Sequence, residues 1–161
     1  MPPPVDKIRN SPAIAVRRMT ASDVPAADSI LMESPEASRW SKEILLESAY
    51  QGVAWVAEMT GVIAGILIGR VVADEFEILN LAVGKEFRRR GVATHLVKAA
   101  LEFVQSVGAP HTFLEVRASN GAGKALYKRM GFRICGRRSN YYHNPTEDAV
   151  LLDLHEKETR E

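Results

Sequence analysis

Arg88, Arg89 and Arg90 run directly into Gly91, and after the glycine Val92, Leu96, Ala100 and Val104 recur every fourth residue, flanked by Val97 and Leu101. That spacing is one apolar face of a helix, so the basic run ends where a helix begins. A helix N-terminus carries unpaired backbone N–H groups and a partial positive charge, which makes it a ready anion site. Gly91 leaves room for a phosphate to approach the backbone, and Ala93 keeps the next turn small. The pattern Arg88-x-x-Gly91-x-Ala93 therefore reads as a pyrophosphate cradle. The plainer alternative is an exposed basic turn, because short glycine motifs also arise by chance.

Other phosphate and metal chemistries lack their residues. Gly123-Lys124 is followed by Ala125, and Ala118 stands where a P-loop needs its first glycine. No G-x-G-x-x-G spacing occurs. His95, His111, His143 and His155 lie singly in the sequence, so each reads as a surface or packing histidine and no metal is expected. Cys135 is the only cysteine, which excludes an intrachain disulfide and a thiolate metal cluster. On a strand it reads as a small core residue rather than an acyl carrier. With 21 basic and 20 acidic residues the net charge is +1, too little for direct nucleic-acid binding. The basic residues cluster instead, at Arg88–Arg90 and at Arg137 and Arg138, which suggests a local anionic ligand.

Glu115 sits between Leu114 and Val116 on a strand-like run, so it faces away from both. A carboxylate in such a setting is either paired or functional. Arg117, two residues on and on the same side, is the obvious partner. Tyr141 and Tyr142 fall in a loop between two strands, where exposed aromatics suggest binding, unless one packs underneath. Asn120 stands where it could cap the following helix. Trp40 either shapes a groove or belongs to the core.

These residues need a frame, and the chain supplies one of 161 residues, enough for one domain. Residues 1–12 and 156–161 read as loose tails around a single domain spanning 13–155. The start "MPPPVDKIRNSP" has no apolar core to serve as a signal peptide, and no run approaches membrane-spanning length. A cytoplasmic protein without a membrane partner is expected. "AIAVRRM" reads as a first strand, and Thr20 with Asp23 opens a helix toward Met32. Ser41 caps a second helix. "VAWVAEM" and "VIAGILIGRVV" flank Thr60-Gly61 as a hairpin, and "EFEILNLAVG" adds a third strand to the meander. The basic-run helix extends from about Gly91 to Val107. "TFLEVRA" is a strand, "NGAGKALYKRMGF" a short helix closed by Gly131, and "RICGRRS" and "DAVLLDL" are strands joined by the loop holding "NYYHNPTE". The order β-α-α-β-β-β-α-β-α-β-β predicts an α/β sheet of mixed direction with helices on its faces.

Arg88-Arg89-Arg90-Gly91-Val92-Ala93 after "ILNLAV" resembles the acetyl-CoA signature Q/R-x-x-G-x-G/A of the GCN5-related N-acetyltransferase (GNAT) superfamily. "FLEVRASNGAGKALYKRMGF", "RRSNYYHNPTEDAVLL" and "ASRWSKE" narrow the likeness to the bacterial ribosomal-protein-alanine N-acetyltransferases, the RimI type. The resemblance covers roughly Ile14 to Leu154. One departure is Gly123, where relatives often carry alanine, which is expected to loosen that helix start. The resemblance implies a seven-stranded, mostly antiparallel sheet with four helices and two splayed central strands. The strand around Leu79–Val83 would part from that around Leu114–Val116, and pantetheine would slip between them. Leu81, Ala82 and Val83 would then meet the pantetheine, and the Arg88-Arg89-Arg90-Gly91-Val92-Ala93-Thr94 turn the pyrophosphate. Asn120 would also contact pantetheine. Glu115 matches the family's proposed general base and Tyr127 its general acid, where the plain reading of Tyr127 is core packing. Tyr141, Tyr142 and Trp40 fall where relatives hold the peptide.

The implied activity is acetyl transfer from acetyl-CoA to the N-terminal amine of a protein, a small-subunit ribosomal protein beginning with alanine, directly in a ternary complex. Acid–base magnitudes favour such an amine: neutralising an α-amine at pH 7 costs about 1 kcal/mol, a lysine about 4.6 kcal/mol. A phenol is a weaker acid than a thiol, so full transfer from Tyr127 to sulfur is uphill by about 2 kcal/mol, and a hydrogen bond to the developing thiolate is expected instead. The alternatives are a small-molecule amine or a lysine as acceptor, or an acetyl-CoA-binding module without catalysis.

Overall fold

The computed structural model describes residues 12–155; apart from Pro12, the two expected tails lie outside the described residues. The first half comprises β1 (Ile14–Arg18), a 3-10 turn (Ala21–Asp23), α1 (Val24–Met32), α2 (Lys42–Gln51), β2 (Ala54–Met59), β3 (Val62–Val72) and β4 (Glu75–Val83). After a second 3-10 turn (Lys85–Phe87) come α3 (Val92–Ser106), β5 (His111–Arg117), α4 (Gly121–Arg129), β6 (Arg133–Tyr142) and β7 (Glu147–His155). The strands form one sheet in the order β1-β2-β3-β4-β5-β7-β6. Only β4 and β5 pair in parallel, as they must when a helix, α3, carries the chain across from one to the other.

Two apolar layers hold the sheet. Ala27, Ile30, Leu31 and Leu45 of α1 and α2 pack on Val56, Ile66 and Ile68 on one face. Val92, Leu96, Val97, Ala100 and Val104 of α3 pack on Trp55, Leu67 and Phe76 on the other, which is the apolar stripe read from the sequence. A Cβ on Gly65 would lie 2.9 Å from Val92 Cγ1 and 3.1 Å from Leu96 Cδ1, so glycine there lets α3 sit close on β3. At the start of α1, Asp23 accepts the Thr20 N–H at 2.8 Å and the Arg17 guanidinium at 2.7 and 2.9 Å. The Arg17 hydrogen bonds hold the Asp23 carboxyl down to about 2. Ser41 accepts the Ile44 N–H at the start of α2, as expected.

One irregularity decides the shape of the centre. The β3–β4 register jumps from Ile68↔Asn80 to Gly69↔Ile78, leaving Leu79 as a bulge. A bulge adds a residue and flips the alternation beyond it. Phe76 and Ile78 face α3, and after the bulge Leu81 and Val83 face it too, while Ala82 joins the α1–α2 layer. The parallel pairing of β4 with β5 also stops there, at Ile78↔Leu114.

Two sequence expectations need correction. The strand β6 does not end at Ser139 but runs to Tyr142, with its pairing to β7 interrupted between Arg138 and Tyr142. Asp148 bridges the interruption: it accepts the Asn140 N–H at 2.9 Å and the Arg137 guanidinium at 2.8 Å. Tyr141 and Tyr142 therefore ride on a kinked strand end rather than in a loop. Cys135 is exposed on β6 rather than in the core, because α1 and α2 reach only the other half of their face.

Candidate active site

Beyond Ile78 and Leu114 the two central strands diverge. The backbone groups of Leu79–Val83 that face β5 are thereby left without a strand partner, an unstable state in a sheet unless a ligand supplies the bonds. The opening is a cleft of about 620 Å³ that passes through the sheet. Leu81, Ala82 and Val83 line one wall, and Leu114, Glu115 and Val116 the other.

On the α3 side the cleft ends at the basic run. The first helical bond is His95 N–H to the Gly91 carbonyl at 3.1 Å, so the N–H groups of Gly91, Val92, Ala93 and Thr94 have no partner within the helix. Arg89 has φ +62° and Gly91 +82°. Left-handed residues in such a turn curl successive N–H groups toward one point. A Cβ at Gly91 would meet nothing nearer than His95 at 3.8 Å, so glycine is needed there for its φ and not for room inside the protein. Arg88 is already engaged: it donates to the Val83 carbonyl at 3.4 Å and to the Glu33 carbonyl at 3.1 Å, tying the turn to the end of α1. Arg88 and Arg89 line the cleft with Gly91–Thr94. Arg90 is exposed and lies outside that lining.

On the opposite face Glu115 is not paired with Arg117, as the sequence spacing suggested. Its carboxylate lies 2.9 Å from Arg138 Nε, across two strands. Arg117 instead meets Glu147 at 3.4 Å and stacks over the Tyr142 ring at 4.5 Å. The neighbouring Glu115 carboxylate raises the pKa of the Tyr141 hydroxyl, and Tyr141 is 46% exposed. Burial, and then the Glu115 charge, push Tyr142 up to about 12. Both tyrosines line the cleft with Ser34, Ala37 and Ser38 of the α1–α2 connection.

Tyr127 reaches the same cleft from α4, on the α3 side of the sheet. It is 4% exposed, and burial raises its pKa. The end of α4 fixes its ring. The Gly131 N–H donates to the Lys128 carbonyl and the Phe132 N–H to the Tyr127 carbonyl at 2.9 Å, a Schellman closure. Phe132 then packs edge-on against the Tyr127 ring at 5.3 Å. Asn120 caps α4 by accepting the Gly123 N–H at 2.8 Å, and it lines the cleft as well. A Cβ on residue 123 would lie 2.7 Å from the Asn120 Nδ2, so glycine there leaves room for the capping side chain in this position. Trp40 lies away from the cleft and packs on the α1–α2 layer.

Arg138, beside the cleft, and Asn80, within it, had no role assigned at the site by the sequence reading. Arg138 carried no signal toward Glu115, because only the strand order brings them together. Asn80 did carry one: a polar residue in the apolar run "ILNLAV". Buried, it donates to the Ser38 carbonyl at 2.9 Å and so holds the α1–α2 connection beside the cleft.

The comparisons with known proteins agree with this geometry. Residues 18–132 match the Acetyltransferase (GNAT) family. The [ribosomal protein bS18]-alanine N-acetyltransferase of Escherichia coli (strain K12) is 32% identical over 146 residues, 86% of this chain and 95% of the relative. The crystal structure of the Escherichia coli ribosomal-protein-S18-alanine N-acetyltransferase superposes with a TM-score of 0.79 at 29% identity, over 92% of this chain and 99% of that one. Ard1 from Thermoplasma volcanium superposes with a TM-score of 0.83 at 26% identity, over 91% and 99% of the two chains. A helix N-terminus opens at one end of a gap between two splayed strands, with a carboxylate and a buried phenol lining it, and the chain belongs to the GNAT family of acetyl-CoA-dependent N-acetyltransferases.

Proposed function

We propose that the protein acetylates the α-amine of protein N-termini in the cytoplasm, an alanine-starting ribosomal protein first among them. The observation that carries this reading is that one cleft is lined from both faces of the sheet. Gly91, Asn120 and Tyr127 belong to the α3–α4 face; Glu115, Tyr141 and Ser38 belong to the α1–α2 face. Acetyl-CoA enters from the first and the peptide from the second, and they meet in the gap. That supports direct transfer in a ternary complex. The names of the relatives similar to this chain support the acceptor.

In this reading Gly91–Thr94 N–H groups and Arg89 hold the pyrophosphate, and Leu81 and Val83 backbone groups bond the pantetheine. The amine nitrogen attacks the thioester carbon, Glu115 takes the amine proton directly or through a water, and the C–S bond breaks as the oxyanion collapses. Tyr127 donates a hydrogen bond to the departing sulfur. Its burial makes full proton transfer still more uphill than for a free phenol, so it stabilises the thiolate rather than neutralising it. Tyr141 and Tyr142 close over the peptide's first residues, and Trp40 supports the α1–α2 connection from behind.

Turnover of an alanine-starting peptide by wild type and Glu115→Gln tests it. The substitution keeps the shape and should lower kcat by roughly 10²–10⁴-fold with acetyl-CoA binding preserved. The loss should shrink at high pH, where the amine is already neutral. A folded variant with near-normal neutral-pH turnover removes the general-base role. Faster turnover by wild type of polyamines, or of a lysine peptide with a blocked N-terminus, would remove the proposed acceptor.

A further inference from the structure

His111 and His155 are 44 positions apart in the sequence, and the register sets them face to face. His111 pairs with His155 across β5 and β7, and Phe113 with Asp153. Directly paired residues, and residues two apart on one strand, share a face of the sheet. So His111, Asp153 and His155 converge on the half of the α1–α2 face that neither helix covers. None of the three lines the cleft.

We propose that His111 Nε2, Asp153 and His155 Nε2 form a binding site for a divalent transition-metal ion of the Zn²⁺ type, with Glu75 orienting His111 from behind. The geometry carries it. Asp153 Oδ2 lies 3.0 Å from His111 Nε2 and 3.1 Å from His155 Nε2, and the three ligand atoms all lie within 4.8 Å of one another. With Zn²⁺ bonds of about 2.0–2.1 Å, the edges of a tetrahedron are about 3.4 Å. The stacked rings hold their lone pairs side by side, so the solvent-exposed His155 must turn its ring for its Nε2 to converge with that of His111 on the ion; the backbone need not move.

The outer bonds point the same way. His111 Nδ1 meets Glu75 Oε1 at 3.0 Å. With its proton on Nδ1, donated to Glu75, His111 would turn its Nε2 lone pair toward a metal. That lone pair otherwise faces the Asp153 oxygen, and two electron-rich atoms at 3.0 Å need a cation between them. A second proton on His111 can serve; a divalent ion can replace it and engage His155 as well. The two imidazole rings stack at 4.3 Å and 16°, an arrangement that disfavours two imidazolium charges. A water completes the fourth position, since His155 is open to solvent. Bound there, the ion would clamp β5 to β7 and, through Glu75, β4 to both.

The test uses the full chain, stripped with chelator and titrated with ZnCl₂ by calorimetry, and with CoCl₂ by visible absorption. Wild type should bind one Zn²⁺, raise its melting temperature in a saturable way, and give the intense Co²⁺ bands of four-coordination. His155→Ala, a solvent-facing change, should weaken Zn²⁺ binding at least about tenfold and abolish those bands, and Glu75→Gln should weaken it by roughly 10–100-fold. His143→Ala, at a distant single histidine, should change nothing. Zn²⁺ binding unchanged in His155→Ala, or no saturable binding by wild type, overturns the proposal.

Discussion

The strands β4 and β5 are the same pair at both ends, yet the ends behave oppositely. From Glu75 to Ile78 they are bonded in parallel register, and Glu75, His111 and Asp153 lace them to β7 on the surface. From Leu79 onward they part, and the unpaired backbone faces the cleft. The bulge at Leu79 marks the boundary. A sheet opened in its centre forfeits ladder bonds, so something must stop the gap from running the length of the strands. The cross-linked end does that. Closed and open ends are therefore two halves of one device: stability concentrated at one end permits an unsatisfied, ligand-ready backbone at the other.

Substitutions can separate the two ends. The largest effect is expected at the open end. Gly91→Asp places a like charge at the cradle and a side chain at φ +82°, and should weaken acetyl-CoA binding about 10–100-fold, the cost of lost charge-assisted hydrogen bonds. Calorimetry reads it, and unchanged affinity in a folded variant would return the basic run to an ordinary turn. At the closed end the signature should invert. His111→Ala, measured in chelator, should lower stability by about 1–3 kcal/mol through its stranded carboxylate partners, while acetyl-CoA affinity stays near wild type. If affinity falls with stability, the two ends are not separable.

Smaller effects sharpen the division within the cleft. Tyr141→Ala should raise the peptide KM several-fold, about 1 kcal/mol for one lost hydrogen bond, and leave the acetyl-CoA KM alone. Equal loss of both would mean that the tyrosine supports the sheet. The finest test is a pH profile. Burial raises the Tyr127 pKa, and Tyr142 is pushed up to about 12, so both remain protonated donors through the range where a free phenol, near 10, begins to ionise. The wild-type rate should thus climb as the amine deprotonates and hold level to about pH 10. An alkaline fall that vanishes in Tyr127→Phe would contradict this.

Local chemistry was legible in the chain alone. The 3.6-residue period made α3 visible, the Thr60-Gly61 turn made the β2–β3 hairpin visible, and Arg88-x-x-Gly91-x-Ala93 marked the turn that opens α3 at the cleft, because caps, turns and periodic faces depend on neighbours in sequence. The motif resemblance reached further, to the splay of β4 from β5 and to two residues, Glu115 and Tyr127, that both line the resulting cleft. Partnerships between distant residues were settled only by strand order and register. Glu115 meets Arg138 rather than Arg117 because β6 and β7 return beside β5. Tyr141 sits on a strand end because Asp148 stands opposite to accept the Asn140 N–H. Cys135 is exposed because the helices of that face stop short of β6. His111 and His155, single in the sequence, stack because two antiparallel strands place them in direct register. A side chain's surroundings are fixed by which backbones lie alongside its own, and the long-range packing that sets this leaves no mark within any short window of sequence.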